Sequence, residues 1–584
     1  MFFITVAQIA MSILDLIGVA LMGLLGALSV TAIQSTNPGP TIGRFLELFR
    51  IENLSFQNQI FLIGFAAVAF LVSRTLLAIY STKRILLFFS RRGARLSSSL
   101  ISKLLSRSLT DVNSRSSQET LYAVTTGVSV ITLEVLATSI VLLADISLLF
   151  VMAVALFFVE PSTALGTFAF FAAIGAILNH LMHRKARNLG ELNSQLNISS
   201  NEKIIEIFGV FRELYVRNRR NYYANEIGVI RNKLANITSD ISFLPYVSKY
   251  VLESSVIIGA MLISAIQFML KDASHAVSTL AIFIAAGSRI APAVLRIQQG
   301  AMQINNRIGI AKKTLELIEE LSMTPEKKDS EVSSLKFRNS FDPGIILKDV
   351  LYKYPGVEVA AIKNINLSIL PGSTVAIVGA SGAGKSTLID LMLGLISPDF
   401  GSVAVSGVTP QQAVSEWAGA IAYVPQEIYL KNGSIAENIS IGYSPDEYSK
   451  DDITRALKIA HLSNFVSTLE FGAETSVGER GARLSGGQKQ RLGIARAMFT
   501  SPQILIMDEA TSALDGGIES DITDSIRELK GLVTVVMVAH RLSTVRYADQ
   551  VVYMSDGEVL ATGTFEQVRS QIPDFDKQAR LMGL

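Results

Sequence analysis

The chain has 584 residues, more than one ordinary domain, and 49% of them are hydrophobic against 17% charged. With a mean hydropathy of +0.40, this excludes intrinsic disorder and indicates a chain partly dissolved in lipid. Cysteine is absent and the net charge is only +2, which excludes a disulfide scaffold, Cys-ligated metal centres and, for want of a basic excess, a nucleic-acid partner.

Long apolar runs lie almost entirely before about residue 300. A bilayer-spanning helix needs about 20 mostly apolar residues. Six runs qualify: Phe2–Ile33, Gln59–Tyr80, Leu133–Val159, Ser162–Met182, Leu244–Leu270 and Ala276–Leu295. The first follows Met1 as a signal peptide would. It is too long for one, lacks a basic flank and precedes further spans, so it reads as a membrane helix, with a start expected upstream. Only Glu160 and Pro161 separate the third run from the fourth, and proline there favours a hairpin turn.

Segment 81–131 carries eight Lys/Arg against two acids, and segment 183–243 carries ten against six. Segment 34–57 is balanced, so both long basic segments, and both termini of a six-span chain, are expected on the cytoplasmic side. Leu100, Ile101, Leu104 and Leu105 recur at helical spacing, as do Ile204, Ile205 and Phe208. The helices are therefore expected to run well past the membrane surface. Turns around Val112–Thr120 and Val210–Asn221 are either docking points for a cytoplasmic domain or solvated loops.

Charges within spans cost ~2.5–3.5 kcal/mol at a helix centre, so their presence suggests a role. Asp15 lies in the first span, Arg74 in the second, Lys249 and Glu253 in the fifth, and Arg289 and Arg296 in or just after the sixth. Either the cations line a cavity and hold an anionic headgroup such as a diphosphate, or they pair internally, with Asp15 or Glu253 as neutralising partner, or snorkel. Residues 322–343 are polar and rich in Pro, Ser and Lys. The expected division is a transmembrane domain 1–321, a linker 322–343 and a second domain 344–584.

In that second domain, strand-like Ser373–Val378 leads into Gly379-Ala-Ser381-Gly382-Ala383-Gly384-Lys385-Ser386-Thr387 and an apolar helix. This is a phosphate-binding loop between a strand and a helix. Its backbone N–H groups and the helix N-terminus suit the phosphates of ATP. Lys385 neutralises the β/γ-phosphates, and Ser386 offers a hydroxyl to Mg²⁺. A second apolar strand, Ile504–Met507, ends in Asp508 and Glu509. Asp508 can hold Mg²⁺ through water, and Glu509 can polarise the attacking water. In Leu484-Ser485-Gly486-Gly487-Gln488, adjacent glycines after a serine make an anion site at a helix start.

With these motifs, Ile345–Gly563 resembles the nucleotide-binding domain of ABC transporters, and Leu484–Gln488 resembles that family's signature. The resemblance implies further roles. Tyr354 would stack on adenine, the alternative being a core aromatic. Gln426 would be the glutamine that reaches Mg²⁺, Asp515 would lie in the D-loop, and His540 would contact the γ-phosphate. Val477–Gly481 resembles a segment of exporters. The implied fold is an α-helical transmembrane domain of six spans plus an α/β P-loop nucleotide-binding domain of ABC type. The implied assembly is a homodimer in the cytoplasmic membrane with ATP between one P-loop and the partner's signature.

Patches at Ser73–Leu77, Lys249–Glu253 and Ser288–Arg296 are similar to bacterial lipid-linked oligosaccharide flippases. They imply a membrane-lipid substrate, a polyprenyl-diphosphate-linked glycan, held by Arg74, Lys249, Arg289 and Arg296. The alternative is a multidrug or phospholipid exporter. Non-transport ATPases of this fold lack spans, and a channel gated by ATP would favour degenerate catalytic positions, whereas Glu509 and His540 are both present.

Overall fold

The computed structural model describes residues 14, 17, 21, 55–159, 161–270, 273–323, 340–509, 527–539 and 545–581. The chain divides into two compact units, Met1–Arg107 with Val112–Glu326, and Lys327–Leu584 with Ser108–Asp111.

The first unit is helical. Helix α1 (Phe56–Leu105) precedes α2 (Ser117–Tyr122), two π-helical turns (Ala123–Gly127 and Val130–Leu136) and α3 (Ala137–Val159). Then come α4 (Pro161–Gly209), α5 (Phe211–Val216), α6 (Arg220–Leu270), α7 (Ala273–Ile310) and α8 (Lys312–Ser322). Helices α1, α4 and α6 have 50, 49 and 51 residues. At 1.5 Å per residue each is roughly 75 Å long, against ~30 Å of hydrocarbon. They project far beyond a membrane, as their periodicity predicts.

Among the described residues, four stretches are long and apolar enough to cross a membrane: Gln57–Leu105, Ser117–Val151, Leu165–Gly209 and Arg220–Leu262. They overlap the second to fifth predicted spans. The sixth predicted span falls on α7, and the first lies outside the described residues except at 14, 17 and 21.

Contacts between these helices fix their directions. Ile85 and Phe89 of α1 pack with Ala137 and Ile140, and Ser97 Oγ donates to the Val124 carbonyl at 2.6 Å, so α1 and α2–α3 are antiparallel. Asp145 meets Arg296, Leu142 meets Gly300 and Glu134 meets Arg307, so α3 and α7 are antiparallel too. Met182–Ser248, Asn193–Thr238 and Lys203–Glu226 set α4 against α6 in the same sense. Met182–Gln298 and Ala186–Asn306 make α4 and α7 parallel. Successive spans therefore alternate in direction. At Gly127, Gly190 and Gly309 a Cβ would collide with Thr314 Oγ1, the Asn306 carbonyl and the Arg187 carbonyl. The missing side chains let the helices approach closely at these three crossings.

The second unit is α/β. Strands β1 (Ile345–Tyr352), β2 (Ile362–Ile369) and β4 (Phe400–Val405) form an antiparallel sheet ordered β2-β1-β4. Strand β3 (Thr374–Gly379) feeds helix α9 (Lys385–Leu393). After β5 (Ile421–Val424) and helix α10 (Gly486–Met498) come β6 (Ile504–Asp508), β7 (Thr534–Val538), β8 (Gln550–Ser555) and β9 (Glu558–Gly563). The second sheet is ordered β5-β6-β7-β3-β8-β9, parallel except for β9. Strands β6 and β7 are buried at every residue, which is why they read as continuous apolar runs rather than alternating ones.

Candidate functional site

Parallel register brings the carboxyl ends of β3, β5 and β6 to one rim. Ile377 and Asp508 both pair with Val538, and Val424 pairs with Met507. Ligands of open parallel sheets bind at that rim.

The phosphate loop leaves β3 there. Gly384 caps α9 at φ +95°, and a Cβ on it would come within 2.7 Å of the Ala361 carbonyl. Gly382, at φ +83°, faces open space, so its missing side chain leaves the backbone approachable. Ser381 and Gly382 are exposed, whereas Ala383 is buried, its carbonyl accepting from Gly557 N at 3.2 Å. Lys385 is buried, and its Nζ donates to the carbonyls of Gly379 and Ala380, each at 3.0 Å. The ammonium is thereby stationed inside the loop that would wrap the phosphates. Ser386 Oγ donates to Asp508 Oδ2 at 3.2 Å, joining the loop to buried Asp508. Thr387 Oγ1 lies 3.1 Å from the hydroxyl of Tyr354. Tyr354 is 39% exposed, so it is not a core aromatic.

Across the rim, Gln426 Nε2 donates to Glu509 Oε2 at 2.7 Å. This bond joins the glutamine to the expected catalytic carboxylate. Hydroxyl, amide and carboxylate oxygens from Ser386, Gln426 and Asp508 form a hard donor set with a single carboxylate. Such a set suits Mg²⁺, which keeps waters and substrate phosphates as its other ligands. Among the described residues no cluster of three or more His, Cys, Asp or Glu could hold a metal ion by itself.

Two groups escaped sequence reasoning. Burial, helped by the charge of Asp508, pushes the half-buried Asp390 carboxyl up to about 6. Burial, with Asp508 and Asp390 beside it, pushes the Tyr423 hydroxyl up to about 12. The only signal for Asp390 was its place one helical turn after Ser386 on α9.

In the signature, Ser485 caps α10. Its Oγ accepts from Gln488 N at 3.2 Å while Gln488 Oε1 accepts from Ser485 N at 2.8 Å. This capping box leaves Ser485 and Gly486 exposed and Gly487 partly so. Asp515 and His540 lie outside the described residues.

Of the four membrane cations, Arg296 and Lys249 each face a carboxylate. Arg296 Nε donates to Asp145 Oδ1 at 2.8 Å, and Lys249 Nζ lies 3.9 Å from Glu253 Oε1. Asp145 was not foreseen as a partner. Arg74 is half-buried on α1. Arg289 lies on α7, but its side chain is outside those described. Asp15 lies outside the described residues.

Residues 362–512 match the family described as ABC transporter. The ATP-dependent lipid A-core flippase of Vibrio vulnificus (strain CMCP6) is 39% identical over 249 residues, 42% of this chain and 42% of that protein. The chain thus spans less than half the length of that relative. ABC transporter B family member 28 of Arabidopsis thaliana is 41% identical over 39% of this chain and 32% of that protein. A solved structure of a bacterial Atm1-family ABC exporter with ATP bound superposes with a TM-score of 0.76 at 21% identity, covering 99% of this chain and 98% of that one. It shows the fold. The ATP-dependent lipid A-core flippase of Haemophilus influenzae (strain 86-028NP) is 31% identical over 409 residues, 68% of this chain and 67% of that protein. With helices long enough to cross a membrane, an exporter fold along the whole chain and a relative aligned over two thirds of its length, the chain belongs to the ABC transporter family.

Proposed function

We propose that the protein is an ATP-driven exporter or flippase that moves an amphipathic anionic lipid, a polyprenyl-diphosphate-linked glycan, across the cytoplasmic membrane. The observation that carries this reading is the meeting of Lys385, Ser386, Asp508, Gln426 and Glu509 at one sheet rim in a chain with four membrane-length apolar stretches. The relatives named lipid A-core flippases support a lipid-like substrate.

In this mechanism the P-loop amides and Lys385 bind and orient the triphosphate. Tyr354 stacks on the base. Glu509 takes the proton of the attacking water, held in place by Gln426. Ser386, Gln426 and Asp508 would hold Mg²⁺, which supplies charge neutralisation on the phosphates. The exposed signature then completes the site of a second copy, a C₂ arrangement. Phe208, Tyr215, Val216 and Tyr222 in the second cytoplasmic turn stay exposed in the single chain, and a homodimer would cover them. Closure on ATP and opening after hydrolysis would rock the membrane helices between two access states.

A second reading, phospholipid export, is favoured by the internal ion pairs of Lys249 and Arg296, which leave those cations less available to a diphosphate. The deciding experiment is ATP-dependent translocation of a labelled polyprenyl-diphosphate oligosaccharide in proteoliposomes, with Glu509→Gln as control. Translocation by the wild type alone supports the glycan flippase. Active ATPase without translocation selects the second reading.

A further inference from the structure

From residue 53 to residue 110 the chain holds no Asp or Glu, yet it holds eight Lys and Arg. Most of that stretch is α1. Ile85, Phe89, Gly93 and Leu100 of α1 are buried. On the other side Arg84, Phe88, Arg91 and Arg95 recur at helical spacing as one exposed stripe, flanked by exposed Tyr80 and Arg92. The Arg84 guanidinium sits 5.2 Å over the Tyr80 ring, and that of Arg92 sits 5.5 Å over the Phe88 ring. Among the described residues none of these four arginines meets a carboxylate. Between the two arginine groups, Leu86, Leu87 and Phe88 are exposed as well.

Three large apolar side chains between cations are poorly placed in water but well placed at the boundary of acyl chains and headgroups. Helix length agrees. Phe56 to Phe89 is roughly 50 Å at 1.5 Å per residue. At the usual tilt of about 20° it projects close to the ~40–45 Å of a bilayer with its headgroups. Arg91, Arg92 and Arg95 then lie at the inner headgroup surface.

We propose that this stripe of α1 is a binding site for anionic phospholipid of the cytoplasmic leaflet. The acyl chains lie along exposed Phe70 and Leu77, which share the face of Arg84 and Arg91 at seven-residue spacing, and Arg84, Arg91, Arg92 and Arg95 hold the phosphates of adjacent lipids along the stripe. Aromatic stacking pre-orders Arg84 and Arg92 for that contact. The site rests on the membrane reading of α1 but is independent of what the protein transports.

The test embeds the full chain in nanodiscs of phosphatidylcholine with one third phosphatidylglycerol. Lipids that remain with the protein after gentle release into a mass spectrometer are then counted. The wild type is expected to retain phosphatidylglycerol roughly tenfold over its share, and the variant R84Q/R91Q/R92Q/R95Q to lose that preference. Equal retention by the wild type, or an unchanged preference in the variant, overturns the proposal. Should the variant fail to fold, wild type at high salt decides. A preference carried by exposed arginines collapses with ionic strength, and one that persists overturns the assignment. Arg91→Cys, in a chain with no other cysteine, tests the competing occupant: a disulfide between two copies places a second chain on the stripe and overturns the lipid. A chain that enters no nanodisc overturns the membrane reading itself, and the site with it.

Discussion

Glu509 stands at a left-handed φ of +48°, a conformation that costs a residue with a Cβ of order 1–3 kcal/mol. Its N–H donates to the Val538 carbonyl at 3.2 Å, and its carboxylate is held by Gln426, so the surroundings over-determine it. Glu509→Gln keeps the shape and removes the base. ATP turnover is expected to fall about 10²–10⁴-fold with nucleotide binding retained, read by phosphate release and by equilibrium binding. Turnover near wild type would remove the catalytic role. Asp390 gives a second expectation. Its folded pKa of about 6 exceeds that of an unfolded Asp, about 3.9. The stability it confers is present below pH ~4 and lost as pH rises through ~6. Asp390→Asn should flatten that part of the stability profile, by about 1–2 kcal/mol after solvent screening of a half-buried group. Melting curves of the two proteins between pH 4 and 7 would show it, and identical slopes would count against the burial of the charge.

At the scale of elements, close approach and capping decide stability. A Cβ on Gly190 of α4 would meet the backbone of Asn306 on α7, whereas one on Gly228 of α6 would meet nothing within 4 Å. Gly190→Ala should therefore cost about 1–3 kcal/mol through overpacking. Gly228→Ala should be neutral or gain about 0.5–1 kcal/mol from helix propensity. Thermal unfolding in detergent separates them, and equal melting temperatures would contradict the crossing. Ser485→Ala removes half of the capping box of α10 and should cost about 1 kcal/mol, seen as a lower melting temperature.

Across the first unit, charges tie its last helix to α2 and the turn that precedes it. Arg115 Nη2 lies 2.5 Å from Glu320 Oε2 and Lys313 Nζ lies 3.3 Å from Glu119 Oε1. Arg107 Nη2 donates to the Glu320 carbonyl at 3.0 Å, and Thr314 Oγ1 donates to the Ala123 carbonyl at 3.0 Å. Single exposed ion pairs contribute ~0–1 kcal/mol, but here several act on one helix of 11 residues. Glu320→Ala is expected to raise amide exchange over Lys312–Ser322 about threefold to tenfold, and more so at low salt than at high. Unchanged exchange would make the network incidental.

The spans, the P-loop and the signature were legible in the sequence because each carries its physics in a contiguous stretch. A membrane helix is a run of apolar residues, and a phosphate loop is a strand, glycines and a helix start. The capping box at Ser485 and Gln488 is likewise local. The pairing of charges was not legible. Asp145 lies 151 residues from Arg296, and the two meet only because α3 and α7 run antiparallel in one register. The Gln426–Glu509 bond spans 83 residues and exists because β5 and β6 are neighbours in the sheet. Sequence alone therefore determined the family and where along the chain its motifs lie. Tertiary structure decided which charges face one another, since separation in space depends on helix direction and strand order, which no short stretch encodes.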